Sequence, residues 1–267
     1  MHEEPTHQAY QETLDGLTIA SPDFLAEVGA NALKWDREWC NYFQEPYANR
    51  FFISLQSPER RLWIETQELA KYSPRDFYYA KPFGEYSFET WTHGSDIVGK
   101  RVLELGCGPG AFGKAAAKVA AHYVGIDYSP LALHVARIVS PANTTYLHIS
   151  QINEIEKLQS SIDTIVGRHF FIHQNAANVR WILELYRFLL KDRGKAVLDF
   201  WLHPLGSEIK GAIVRDGLGA LSEDKASCVY YFAPETIKEL TEEAGFIIDN
   251  ETEVPEVDRR FVTITKR

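Results

Sequence analysis

Cysteine is scarce in this chain. Its 267 residues include three, Cys40, Cys107 and Cys228, far apart and odd in number. They form neither a disulfide framework nor a C-x-x-C metal pattern, and they suit a reducing cytosol. Long apolar runs are also missing. No stretch of about 18 uninterrupted apolar residues occurs, so no membrane-spanning helix is expected. The opening segment, MHEEPTHQAYQE, is polar and acidic, unlike a secretory leader. A cytoplasmic location is the expectation. Basic excess is absent too: 28 Lys and Arg against 37 Asp and Glu leave a net charge of −9. The imbalance lies early, with 9 basic and 16 acidic residues in 1–100 against 19 and 21 in 101–267. An acidic first third repels phosphate backbones, and no basic stripe runs elsewhere. Nucleic acid and anionic membrane are therefore not expected as partners. There are no low-complexity tracts or internal repeats. The remaining composition, 45% hydrophobic and 24% charged, is that of a folded globular chain.

Aromatic residues are plentiful but unevenly placed. Sixteen of the 34 fall within residues 35–91, about a fifth of the length. Pro46, Pro58, Pro74 and Pro82 divide that stretch into short helices. Residues 1–94 read as a helical, aromatic-rich extension and residues 95–267 as an α/β domain. The plain reading of the extension is a hydrophobic mini-core packed on a sheet. The sharper one is a lid over a site, with Tyr42, Tyr86 and Trp91 lining a substrate pocket. An acidic, aromatic lid favours a cationic or aromatic small molecule.

From Lys100 the pattern alternates. Arg101–Leu105, Tyr123–Ile126, Thr145–Ile149, Ile162–Val166 and Lys195–Phe200 read as buried strands. Helical stripes separate them. Ser129-Pro130 is a cap followed by a first-turn proline. The stripe Val179, Ile182, Leu183, Tyr186, Leu189 and Leu190 is expected to close at Gly194. Strand–helix alternation means crossovers and a parallel sheet. A helix from Pro234 to Ala244 then leads to a strand at Phe246–Ile248. The segment Arg260–Ile264 follows too soon for a helical crossover, so it should return antiparallel.

The most informative stretch is Glu104-Leu-Gly106-Cys-Gly108-Pro-Gly110-Ala-Phe-Gly113. Its glycines allow a sharp turn off the first strand and close backbone approach to a ligand. The next helix points its free N–H groups at that place. Asp127 ends the second strand, 17 residues after Gly110, and neighbouring strand ends meet at the mouth of a doubly wound sheet. A carboxylate there can accept from both ribose hydroxyls, so the pattern points to a nucleoside-containing ligand. The plain alternative is a tight turn beside a solvated acid. Gly108 to Gly113 also fits the dinucleotide fingerprint G-x-G-x-x-G, a weak match alone. Glu104 opposes it, because an acid near the ligand end of the strand repels a pyrophosphate and suits a cation.

Glu104-Leu-Gly106-Cys107-Gly108-Pro-Gly110, with Asp127 ending the next strand, resembles the cofactor site of class I S-adenosylmethionine-dependent methyltransferases. Ser161–Val166, Leu189–Leu198 and Phe232–Phe246 resemble that family's later elements in the same order, and the likeness spans about 95–267. It implies a doubly wound, mostly parallel seven-stranded sheet with an antiparallel last strand, and S-adenosylmethionine as cofactor. It implies that Gly106, Cys107, Gly108 and Gly110 pack against the methionine part, with Glu104 near its amino group. Asp127 would hold the ribose and Tyr128 lie along the adenine. The adenine-amine contact, often an Asp, falls here on Ser150, Gln151 and Ile152.

A sulfonium methyl is already activated, so alignment and water exclusion matter more than any obligatory catalytic motif. Candidates for the acceptor side cluster in Arg168-His-Phe-Phe-Ile-His173. Arg168 lies at the crevice mouth on the cofactor side, and His169 is a candidate base or orienting group. His173 reads as packing. Trp201 and His203 leave the fifth strand towards the same side. His169, His173 and His203 have no carboxylate or cysteine at telling spacing, so no metal site is expected. The function expected is methyl transfer to the N, O or C nucleophile of a small molecule. The rivals are an NAD(P)-dependent oxidoreductase and a non-catalytic methyltransferase-like binding module.

Overall fold

A computed structural model describes residues 34–36, 38–39, 96–205, 212–221, 228–255 and 258–267. By internal packing the chain divides into two units, one covering 32–148 and the other containing 149–267.

The first unit holds three parallel strands, β1 (Arg101–Leu105), β2 (His122–Asp127) and β3 (Thr144–His148), with β2 in the middle. Apolar runs bounded by turns make these strands, and Val102, Leu103, Tyr123, Val124 and Ile126 are buried. Helix α1 (Ala111–Ala116) is a single short stretch, shorter than the apolar periodicity to Val119 suggests. Helix α2 (Pro130–Val139) starts as its sequence directs. Ser129 Oγ accepts from Ala132 N–H at 3.0 Å and Pro130 occupies the first turn. It buries Ala132, Leu133, Val135 and Ala136. Residues 34–36 and 38–39 are helical and belong to this unit.

The second unit begins with α3 (Ile152–Glu156) and β4 (Ile162–Gly167). Helix α4 (Ala176–Leu189) follows, capped by Asn175, whose side chain accepts from Asn178 N–H. It does not run on to Gly194. The chain turns extended at Leu190 and enters β5 (Leu190–Trp201), because Leu190 already pairs with Ile162 of β4. Gly194 lies inside that strand, where an added methyl would stand 2.9 Å from the Lys191 carbonyl oxygen. Strands β6 (Ile213–Asp216) and β7 (Cys228–Tyr231) pair in parallel, and β7 meets the end of β5 at Trp201. Helix α5 (Pro234–Glu243) leads into β8 (Phe246–Val254) and β9 (Arg259–Lys266). Strand β9 runs antiparallel to both β5 and β8, as the short connection requires. The α/β class, the mostly parallel order and the antiparallel end agree with the sequence reading. Strands β6 and β7 are additions to the seven expected, and they come from the segment after Trp201. No helix among the described residues is long and apolar enough to cross a membrane.

Candidate functional site

The glycine loop leaves β1 with three left-handed residues, Gly106, Gly108 and Gly110, at φ of 75°, 51° and 81°. Only glycine takes such a run without strain. Asp127 braces the loop from the end of β2. Its Oδ2 accepts from Gly108 N–H and its Oδ1 from Ser129 N–H, both at 2.8 Å. The carboxylate is buried, which raises its pKa, while the N–H donors of Ser129, Gly108 and Tyr128 pull it down. With about four lone-pair sites on its two oxygens, the carboxylate still has room for a ligand hydroxyl beside its three N–H donors.

Glu104 is also buried, and Tyr123 O–H donates to its Oε2 at 2.5 Å. Burial, then the Glu104 carboxylate, holds the Tyr123 phenol well above its usual range, so it stays the donor. Tyr128 is buried, and its carbonyl oxygen lies 2.8 Å from His148 Nε2. The Cys107 side chain is buried against β2. Its Sγ lies 2.8 Å from where a Gly125 side chain would begin, and burial raises the thiol pKa well above normal. Cys107 therefore contributes backbone and packing, not a reactive thiolate.

Two residues of this unit were not singled out from the sequence. Asp36 Oδ1 accepts from Ser129 O–H at 2.5 Å and from Leu131 N–H at 3.2 Å, placing a second carboxylate at the start of α2. Trp39 lies against the glycine loop, since a methyl added at Gly108 would stand 2.8 Å from its Cζ2. Tyr42, Tyr86 and Trp91 lie outside the described residues.

In the second unit, Ser150 and Gln151 are exposed and Ile152 is half-buried, at the start of α3. Arg168 is half-buried directly after β4. His169 follows with a positive φ of 52°, unusual for a non-glycine residue. Asp199 of β5 supports that turn. Its Oδ2 accepts from His169 N–H at 2.5 Å, and its Oδ1 from Phe170 and Phe171 N–H at 3.2 Å. Arg259, opposite Trp201 in the β5–β9 pairing, completes the cluster. Its Nη2 lies 3.0 Å from His169 Nδ1, its Nη1 donates to the Asp258 carbonyl, and its Nε is 3.6 Å from Asp199 Oδ2. Burial pushes the Asp199 pKa up to about 6, against the pull of Arg259 and the three N–H donors. Desolvation and the cations Arg259 and Arg168, with His173, hold the His169 imidazole well below its ordinary value. His169 is itself exposed, so the touching guanidinium is the firmer cause. Near neutral pH the cluster holds a carboxylate, a guanidinium and a neutral imidazole.

His173, read as packing, and the acceptor-side candidates Trp201 and His203 each make defined contacts. His173 Nδ1 donates to the Cys228 carbonyl at 2.9 Å, tying the 3-10 turn Phe171–His173 to β7. Trp201 packs with Ile172 and Val229, and the Arg259 guanidinium sits 5.0 Å from its ring centre. His203 Nε2 lies 3.0 Å from Asp258 Oδ1. Among the described residues, no group of three or more His, Cys, Asp or Glu side chains is placed to hold a metal ion.

A family model described as a methyltransferase domain matches residues 78–251. An "uncharacterized methyltransferase" of Mycobacteroides abscessus is 30% identical over 126 residues, 44% of this chain and 47% of that protein. A ribosomal protein L11 methyltransferase of Marinobacter nauticus is 46% identical over 48 residues, 18% of this chain and 16% of its own. The chain thus spans about half the length, or less, of these curated relatives. A solved S-adenosylmethionine-dependent methyltransferase of Mesorhizobium loti shares the fold, with TM-score 0.51 and 20% identity over 64% of this chain and 93% of its own. The match of the family model to well over half the chain, on a fold whose glycine loop is braced by the strand-end Asp127, places this protein among the class I S-adenosylmethionine-dependent methyltransferases.

Proposed function

We propose that the protein transfers a methyl group from S-adenosylmethionine to a small-molecule acceptor. One observation carries the reading above all: two buried carboxylates, Glu104 and Asp127, flank a left-handed glycine loop and are held by hydrogen bonds from the protein itself. The residues present suit this cofactor. A side chain at Gly110 would collide with Ala136 and Tyr146, so the loop's close-fitting course depends on glycine. Glu104 suits a cationic amino group, and Asp127 suits a ribose hydroxyl.

When bound, the cofactor supplies a methyl already activated by the sulfonium. The chain's own residues bind and align. Glu104 takes the amino group, and the backbone of Gly106, Cys107, Gly108 and Gly110 lies against the methionine part. Asp127 holds the ribose and Tyr128 lies along the adenine. Ser150, Gln151 and Ile152 take the adenine edge, and Arg168 closes the cofactor side. His169 faces the acceptor. Tyr42, Tyr86, Trp91, Trp201 and His203 are the remaining acceptor-side candidates, and Trp201 acts there through its packing under Arg259. The acidic net charge and the lack of a basic stripe in the sequence speak for a small molecule over nucleic acid. The spread cysteines favour a cytoplasmic setting.

The dinucleotide reading loses its main support at Gly113. A methyl there would stand 2.5 Å from Tyr123 and 2.6 Å from the Tyr146 hydroxyl. That glycine is explained by packing of α1 on β2 and does not require a pyrophosphate. Calorimetric titration tests the proposal. S-adenosylhomocysteine should bind in the micromolar range, about −8 kcal/mol, and NADH should give no heat. Clear binding of NADH with none of S-adenosylhomocysteine would overturn it.

A further inference from the structure

The contact between Arg259 and His169 fixes more than position. Arg259 Nη2 lies 3.0 Å from His169 Nδ1. A guanidinium has five donors, no acceptor, and does not give up its proton in a protein. Arg259 is therefore the donor and Nδ1 the acceptor. An accepting Nδ1 carries no proton, so the proton of the neutral ring is on Nε2.

We infer that Arg259 is a positioning residue that holds His169 as the neutral Nε2–H tautomer, making it a hydrogen-bond donor to the methyl acceptor and not the base that deprotonates it. This rests on the methyltransferase reading of the site. Taking a proton at Nδ1 would break the Arg259 contact and set two cations against each other. Taking one at Nε2 is closed to a ring already protonated there. The charged and titratable groups that face the ring among the described residues agree. Arg259 comes from β9 and Arg168 from its own loop, both cationic. His173 is tied to the Cys228 carbonyl, and Asp199 of β5 is engaged by three N–H groups and by Arg259. Asp199 pins the main chain at His169 while Arg259 pins the ring, so the Nε2–H direction is set by two independent anchors.

The acceptor class follows. It reaches the site with its nucleophilic lone pair already free, as a carboxylate, an acidic hydroxyl in its ionised form or an unprotonated amine does. It also offers an atom that can accept from Nε2–H. In the transfer step that lone pair forms the bond to the methyl carbon, and the carbon–sulfur pair remains on sulfur. An acceptor that arrives deprotonated leaves no proton for His169 to remove in the transfer itself; an amine departs as its methylated ammonium and loses its proton to solvent afterwards.

Long-range proton–nitrogen correlation spectra of the full chain, labelled with 15N-histidine, test this. His169→Asn identifies the resonance. In the wild type, His169 should show a protonated Nε2 and a bare Nδ1 from about pH 8 down to about pH 6, below the ordinary titration point of a free imidazole. Arg259→Lys keeps the charge but loses the planar fork, and should give mixed tautomers. A protonated Nδ1 in the wild type, or a doubly protonated ring by about pH 6.5, would overturn the inference whether or not the variant folds. S-adenosylhomocysteine added to the same sample separates the two claims. Failure to bind it, with the Nε2–H tautomer intact, would count against the methyltransferase proposal and leave the tautomer assignment standing.

Discussion

Replacing Asp127 with alanine tests two duties of one carboxylate. Its oxygens accept from Gly108 and Ser129 N–H at 2.8 Å, and both donors are buried. Alanine leaves those donors without their acceptor, at about 1–3 kcal/mol each. A second effect runs the other way. Burial raises the Asp127 pKa despite its donors, so the ionised form is held at a cost that alanine removes. The net loss of stability should be about 2–4 kcal/mol. In a domain of this size that lowers Tm by roughly 5–15 °C. The ligand duty is separate. Losing charge-assisted bonds to the ribose should weaken S-adenosylhomocysteine by about 1.5–3 kcal/mol, or roughly 10–150-fold in Kd. Asp127→Asn keeps one carbonyl oxygen and turns an amide group towards the other donor, so it should fall between. Urea unfolding gives the first quantity. Calorimetry well below the variant's Tm gives the second. A stability loss with unchanged affinity would make Asp127 a brace alone and put the ribose elsewhere. No change in either would mean that the loop does not depend on this bracing.

Two glycines with positive φ separate backbone strain from packing. Gly99 and Gly110 have φ of 68° and 81°, so alanine at either carries the left-handed penalty of about 1–2 kcal/mol. Gly99 has nothing within 4 Å, whereas a methyl at Gly110 would stand 2.9 Å from Ala136 Cβ and the Tyr146 hydroxyl. Gly110→Ala should therefore cost about 1–3 kcal/mol more than Gly99→Ala in urea unfolding, and equal midpoints would refute the tight fit. The pH dependence has two opposing parts. The His169 pKa is lowered by folding, so between its folded value and about 6.5 the unfolded chain binds more protons and stability falls with falling pH. His122 is shifted in the same direction by burial and Arg101 and adds to that slope. Asp199 is raised from 3.8 to about 6, so its unfavourable contribution, full above pH 6, is relieved as pH falls from about 6 towards 3.8. His169→Asn should flatten the first slope in part, and Asp199→Asn should remove the relief. An unchanged urea-midpoint profile in both variants would contradict these assignments.

Much of the first unit could be read from the sequence because its signals are local. Ser129-Pro130 determined a helix start within four residues, and the strand Arg101–Leu105 ran from Lys100 to the glycines. The antiparallel end was legible for a similar reason: connection length alone excluded a crossover. The misreading of Gly194 has a tertiary cause. A glycine after an apolar helical stripe looks like a stop, but Leu190 is drawn into pairing with Ile162, and strand pairing outweighed the local cue. The acceptor-side cluster depended on partners far apart in the chain. Arg259 and His169 are 90 residues apart. One cue was present and passed over: Asp199 interrupts an otherwise apolar strand, Ala196-Val-Leu-Asp-Phe-Trp201, and a buried acid in such a run needs several donors to hold it there. Asp36 carried no comparable cue, because one acid in an acidic segment does not stand out.

The glycine pattern itself shows why composition at a site is weaker than packing around it. Gly108, Gly110 and Gly113 fit the dinucleotide spacing, yet at each a nearby protein atom stands where a side chain would go. Trp39 lies where a side chain at Gly108 would go, Ala136 and Tyr146 where one at Gly110 would go, and Tyr123 and Tyr146 where one at Gly113 would go. Tyr123 joins the two problems. Its ring presses on α1 and demands Gly113, while its hydroxyl reaches Glu104 and holds the carboxylate that disfavours a pyrophosphate. The same side chain thus produces the spacing that imitates a dinucleotide site and supports the charge that argues against one. Fingerprint spacing reports how closely a helix approaches a strand. The ligand is decided by the charge at the strand end, and here that charge is negative at Glu104.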